Sequence, residues 1–370
     1  MHISADPNHR PLHSLRSHDA RTAGRRPRYL RAATIVLAAL LGAQMTAQAG
    51  MRLQGMRLQG MRLQGMRLQG MRLQGPGLDG AALRGDTFIA ALVDDHGAQV
   101  GMFEAESFRG DLVQGVLYDS AQGAGVSTTL PAAALIGVTW SEEICDDSDT
   151  CETITYRIAA GAVDDALNTM PAHADNDDVF LYRVEYSAAG DPGEGDWINV
   201  CAPDSSGVAM GMFVDGQWDA YGDYQPGGYT FSCTAGVIAK CARDWGYKPW
   251  KTLPAPTAGL VGLQPLHHAC TRAARADYCG DGNAHTQDGT MIDMFDVYGF
   301  NLRELDSGFT RESGFDTDGA RWVERPRYPD AESTDEGWRF ATCERPAYDN
   351  QPPADGPILI EVWSAPDLGL

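Results

Sequence analysis

Every cysteine of this 370-residue chain lies beyond residue 144: Cys145, Cys151, Cys201, Cys233, Cys241, Cys270, Cys279 and Cys343. An even set confined to one part of an exported chain predicts up to four disulfides, and free pairing of eight thiols allows about 105 connectivities. Local geometry prunes that number. Cys145 and Cys151 flank an acidic turn (DDSDT) between two strand-like runs, so a bridge across that hairpin is expected. Cys270 and Cys279 are different. A helix running through both would set them about 13 Å apart on opposite faces, beyond disulfide reach, so each would need another partner. They can bond each other only if the helix ends before Ala276. The same reasoning applies, more weakly, to Cys233 and Cys241.

The N-terminus predicts the compartment in which such bonds form. Arg25–Arg31 is a positive stretch, Ala32–Leu41 an apolar run of ordinary signal length, and Ala47-Gln48-Ala49 a small-residue cleavage site. Cleavage is expected after Ala49, making residues 1–49 a signal segment. Its removal takes seven Arg and two Asp, which leaves 22 basic and 48 acidic side chains and moves the net charge from −21 to −26. A field of that sign repels phosphate backbones and argues against a nucleic-acid partner. No other apolar run approaches the ~18 residues of a membrane helix, so no stable span is expected after cleavage. Periplasm, cell envelope or the extracellular space is the expected location.

Residues 51–75 are five perfect copies of MRLQG, and residues 76–85 continue the frame with Leu78 and Leu83. A five-residue step turns about 500° on a helix, so the leucines form no stripe. The pattern resembles the pentapeptide-repeat β-helix family. Seven units make fewer than two of its coils, too few to bury a core. Residues 50–85 are therefore either a tether or a short solenoid docked on the globular part, residues 86–370.

Within that part, short β-branched or aromatic runs bounded by turns predict strands at residues 87–93, 134–140, 153–158, 179–186, 197–201, 211–214, 229–233 and 358–363. Ala- and Arg-rich stretches predict helices over residues 234–245 and 263–278. The expectation is an α+β, strand-dominated fold with two short helices cross-linked by disulfides.

Three motifs together, FSCTAGVIAKC, WGYKPW and CTRAARADYCGDG, resemble the ADYC-domain family of bacterial exported proteins, named for the tetrapeptide Ala276-Asp277-Tyr278-Cys279. The resemblance extends over most of the chain beyond residue 86 and is strongest over residues 201–293. It implies relatives and a compartment. It implies no reaction and transfers no catalytic residue.

The search for chemistry then rests on individual side chains. There is no GxSxG elbow, HExxH helix or P-loop. Asp277, His268 and His285 would form an acid/base constellation if the fold brought them together; otherwise Asp277 pairs with Arg272 or Arg275 and fixes the helix end, with Tyr278 a core aromatic. Zinc is disfavoured because His267, His268 and His285 lie near cysteines without CxxC or HxxxH spacing. The loop at Asp281 begins like a calcium loop, with Asn283, Asp288 and Asp293 as further oxygen donors. It lacks the Gly and Glu that such a loop requires at its sixth and twelfth positions. No cofactor is called for. Trp245, Tyr247 and Trp250 either stack on a sugar or peptide when exposed or form a buried plug. The acidic runs at 146–149 and 175–178 read as solvated loops. These residues favour an exported, non-catalytic binding or structural module with an unknown envelope or extracellular partner; a secreted hydrolase with its site near Asp277 and His285 is the alternative.

Overall fold

The computed structural model describes residues 61–63, 84–93, 99–119, 125–145, 151–188, 193–219, 221–286, 290–303, 308–327, 331–334, 337–340 and 358–365, all within the unit Leu58–Leu370. Residues 1–49, where a signal segment is expected, and all of the repeat except residues 61–63 and 84–85, lie outside them. Asp288 and Cys343 lie outside them too, as do the side chains of Cys145 and Cys151.

Two larger antiparallel sheets, two separate two-stranded hairpins and a helix pair make up the described fold. Strands β1 (Met61–Leu63) and β2 (Arg84–Gly85) precede the hairpin of β3 (Phe88–Val93) and β4 (Gln99–Arg109). There follow β5 (Leu112–Asp119), β6 (Gly125–Pro131), β7 (Thr139–Cys145), β8 (Cys151–Val163) and β9 (Phe180–Ser187). After the short β10 (Ile198–Asn199) come β11 (Gly211–Trp218) and β12 (Tyr224–Cys233). The large sheet has the order β2-β12-β11-β9-β8-β7-β3-β4-β5-β6, with β10 beside β9. In the β7–β8 hairpin Cys145 and Cys151 are register partners, the backbone arrangement that the expected bridge requires.

Helix α1 (Val237–Arg243) leads to the hairpin β13 (Thr252–Pro254) and β14 (Leu260–Gly262), and then to α2 (Gln264–Arg275). The smaller sheet uses β15 (Thr290–Asp296), β16 (Thr310–Asp316), β17 (Gly319–Val323) and, after the hairpin β18 (Ala331–Thr334) and β19 (Gly337–Phe340), β20 (Ile360–Ser364). Its order is β1-β15-β20-β16-β17, so three residues of the third MRLQG copy pair with β15.

The large sheet folds over on itself. A bulge between Ala105 and Ser107 bends β4, which packs across onto β11 and β12. Asp215 holds the crossing by accepting from the Ser107 hydroxyl at 2.8 Å and from the Phe108 N–H. Inside the fold the Phe88 ring meets Phe108, Trp140, Phe213 and Tyr229 at 5.2 to 5.7 Å, mostly edge to face. Such rings bury large area and add directional contacts worth about 0.5–1.5 kcal/mol per pair.

The opposite face carries α1, whose Ile238, Ala239 and Ala242 lie against Leu181, Met212, Val214 and Trp218. Helix α2 packs instead on the small sheet, where Leu266, Ala269 and Ala273 join Ile292, Phe315 and Val362. The bridge Cys241–Cys270, with both residues fully buried, ties the two helices and hence the two sheets. Cys201–Cys233 ties the segment after β10 to the end of β12. Cys279 is bonded as well, and no described cysteine is free.

The strand-dominated α+β class holds, with corrections of extent. The run 134–140 is not one strand, because Ala132–Leu135 forms a 3-10 turn behind Pro131 and Gly137 adopts a left-handed φ of 89°, so β7 starts at Thr139. Helix α1 is shorter than residues 234–245, since Gly236 starts it with extended backbone and Gly246, at φ 77°, follows its end. Helix α2 stops at Arg275 rather than 278 because Ala276 turns left-handed at φ 52°. Ending there would have let Cys270 reach Cys279, yet Cys270 faces α1 and bonds Cys241.

Candidate functional site

The ADYC tetrapeptide is the point where α2 ends. Ala276, fully buried, takes the left-handed conformation that a helix C-terminus more often gives to glycine. The reversal sends Asp277 back beneath the last turn. Its carboxylate, also fully buried, accepts from Arg272 Nη1 at 2.6 Å and from the backbone N–H groups of Asp281 and Gly282 at 3.1 and 3.2 Å. Arg275 stands 4.0 Å away. Burial raises the Asp277 pKa, and the two guanidinium groups oppose that shift.

Arg272, fully buried, also donates to the Tyr221 and Thr317 carbonyls and to Asp223, so it joins the loop before β12 to the β16–β17 turn. Gly280 and Gly319 are needed where these loops meet. A Cβ on Gly280 would lie 2.0 Å from the Asp318 carbonyl, and one on Gly319 would lie 2.7 Å from the Gly280 nitrogen.

Tyr278 faces the other way. Its hydroxyl donates to Glu312 at 3.0 Å and accepts from the Arg327 N–H at 2.7 Å, while its ring stacks on Phe315 and Phe340. Burial and the Glu312 charge hold its pKa well above the usual phenol value. Arg327 uses all five side-chain N–H donors: two on the Glu312 carboxylate, both at 3.0 Å, two on the Ala273 and Ala274 carbonyls, and one on Thr286. A buried cation at the C-terminal carbonyls is the favourable arrangement for a helix dipole.

The residues proposed for acid/base work have separate hydrogen-bond partners. No hydrogen bond joins Asp277 to His268 or His285. His268 lies one turn before Arg272, its Nε2 3.1 Å from the Gly222 carbonyl and its ring against Trp218. His267 points to α1, its Nε2 2.8 Å from the Ile238 carbonyl. Burial lowers both pKa values to about 4, with Arg272 adding to the effect at His268, so both rings are neutral at pH 7. His285 is packed between Tyr278 and Phe340 at 5.6 and 4.9 Å.

WGYKPW is largely the plug. Trp245 and Tyr247 are buried, with the Tyr247 hydroxyl donating to Asp296 at 3.0 Å, and half-buried Trp250 donates its indole N–H to Asp178 at 2.9 Å. Asp281 caps its own turn by accepting from the Asn283 N–H at 2.9 Å. Among the described residues no group of three or more His, Cys, Asp or Glu is placed to hold a metal. The run 175–178 is more than a solvated loop: Asn176 is buried, and Asp178 binds Lys248 and Lys251. Glu312, Arg327 and Lys248 were invisible to motif reading because each charged partner lies at least 15 residues away in sequence.

Neither a curated protein nor a solved structure matches the chain. The ADYC domain matches residues 132–329, a span that contains both helices, both defined disulfides, the Asp277 network and the Tyr278–Glu312–Arg327 hydrogen bonds. That match covers more than half of the sequence, and the chain belongs to the ADYC-domain family.

Proposed function

We propose that the chain is an exported, disulfide-stabilised module that acts by binding in the envelope or outside the cell, and that its ADYC segment is a structural fastening rather than a catalytic centre. The observation that carries this reading is the enclosure of Asp277. Its carboxylate has no exposed surface and already accepts from one guanidinium and two backbone amides. A general base needs a lone pair open to substrate. Two closed disulfides support maturation in an oxidising compartment, as the N-terminal segment does. Among the described residues no helix is long and apolar enough to cross a membrane.

Substrate screening of the secreted protein against ester, peptide and glycoside panels tests the reading, with His285→Gln as the control. No turnover above background is expected from either protein. Turnover by the parent that disappears in an equally stable His285→Gln protein would establish the hydrolase alternative instead.

A further inference from the structure

A cavity of about 330 Å³ opens between the loop that joins β8 to β9 and the WGYKPW turn, and none of its lining residues belongs to the ADYC tetrapeptide. Its walls are held by buried amides. Asn168 donates to the His173 carbonyl and to Asn176, both at 3.0 Å, and Asn176 donates to Asp164 and to the Arg243 carbonyl. Gly246 lets the two loops touch, since a Cβ there would stand 2.8 Å from the Asn168 side chain. The site is therefore formed in advance of any ligand.

Lys248 lies in the lining and is only 4% exposed. Its ammonium donates to Asp178 and, at 2.7 Å, to the Asp175 carbonyl, which leaves its third N–H without an acceptor among the described residues. Asp178 also takes Lys251 at 3.0 Å and the Trp250 indole, and these donors hold its pKa below the usual carboxylate range against the effect of burial. Asp178 is thus fully engaged. The neighbouring carboxylates of Asp175 and Asp177 line the same cavity and make no hydrogen bond or ion pair among the described residues. Pro171, Ala174 and Leu253 supply apolar wall.

We infer that this cavity binds a neutral polyhydroxylated ligand, one sugar unit of a glycan. The lining presents the Lys248 and Lys251 ammonium groups beside the unpaired carboxylates of Asp175 and Asp177. A hydroxyl group both donates and accepts, so adjacent ring hydroxyls satisfy both sets at once. An anion would meet two unpaired carboxylates, whereas a simple amine would leave the buried Lys248 donor without an acceptor, at a cost. The volume lies at the small end of ligand sites, about 300–1,000 Å³, and suits one ring with its substituents.

This inference rests on the binding-module reading and names its ligand class. The full secreted chain is screened on an array of neutral glycans and titrated in solution with glucose, galactose, mannose and N-acetylglucosamine. Saturable binding of at least one glycan is expected. Asp177→Asn and Lys251→Met, both at solvent-accessible positions of the lining, should each weaken that binding at least tenfold with an unchanged melting temperature. The proposal is overturned if no neutral glycan binds, if binding survives both substitutions, or if spermidine or free lysine alone occupies the site. Hydrolysis of a bound glycan would instead overturn the non-catalytic reading and leave the site standing.

Discussion

At the scale of single residues, the buried charges of this protein are explained by what they fasten. Arg327 and Glu312, each within 1% of full burial, form a two-point ion pair whose remaining donors cap α2. Breaking such a pair strands the surviving charge, so Glu312→Gln should destabilise the protein by about 3–5 kcal/mol. Urea unfolding followed by intrinsic fluorescence would measure this, and a change below about 1 kcal/mol would remove Glu312 from the account. In contrast, the exposed Arg183, which reaches Glu185 at 2.6 Å while Arg157 already pairs with the same carboxylate, should be replaceable by alanine at a cost of under about 1 kcal/mol.

At the scale of elements, the helix pair depends on its bridge and on two neutral histidines. Cys241 and Cys270 are 29 residues apart, and opening a loop of that length should cost about 3–4 kcal/mol. A Cys241→Ser, Cys270→Ser double variant measured by thermal unfolding should show that loss. His267 and His268 have folded pKa values near 4 against an unfolded value near 6.5, so the unfolded chain takes up their protons first. Their contribution is complete above pH 6.5 and is lost as pH falls towards 4. Asp244 works in the opposite sense. Burial raises its pKa to about 6, so the folded state gains from it on acidification below that value. Of these three groups the two histidines outweigh the carboxylate, so together they destabilise the folded state between pH 6.5 and 4, and His268→Gln should flatten their part of the profile. The helices and the aromatic strands were legible in the sequence because Ala-Arg stretches and β-branched runs carry local signals. β4 was not, since QVGMFEAESFR mixes Gly, Glu and Ser with the buried Phe103 and Phe108 and owes its form to the aromatic cluster across the fold. β16 was missed for a similar reason. TRESGFD hides the buried Glu312, whose polarity is tolerable only because Arg327 meets it. The ADYC word itself was legible as a signature, and Asp277–Arg272 was among the pairings expected from it. The role of Tyr278 depended on residues 34 and 49 positions away.

At the scale of the whole molecule, the chain reads as two sheets held together through one helix pair, with the ADYC reversal as the point where α2, the β16–β17 turn and the Arg327 segment meet. Peptide mapping of the protein without reduction should recover Cys201–Cys233 and Cys241–Cys270, together with a Cys145–Cys151 hairpin bridge. Free thiols at all eight positions would contradict export into an oxidising compartment. On the proposed reading, the family's signature residues hold the fold together and do no chemistry. Equilibrium urea unfolding of Asp277→Asn tests it most directly. Replacing the one buried carboxylate that neutralises Arg272 should lower the unfolding free energy by about 3–5 kcal/mol, and a variant as stable as its parent would contradict the account.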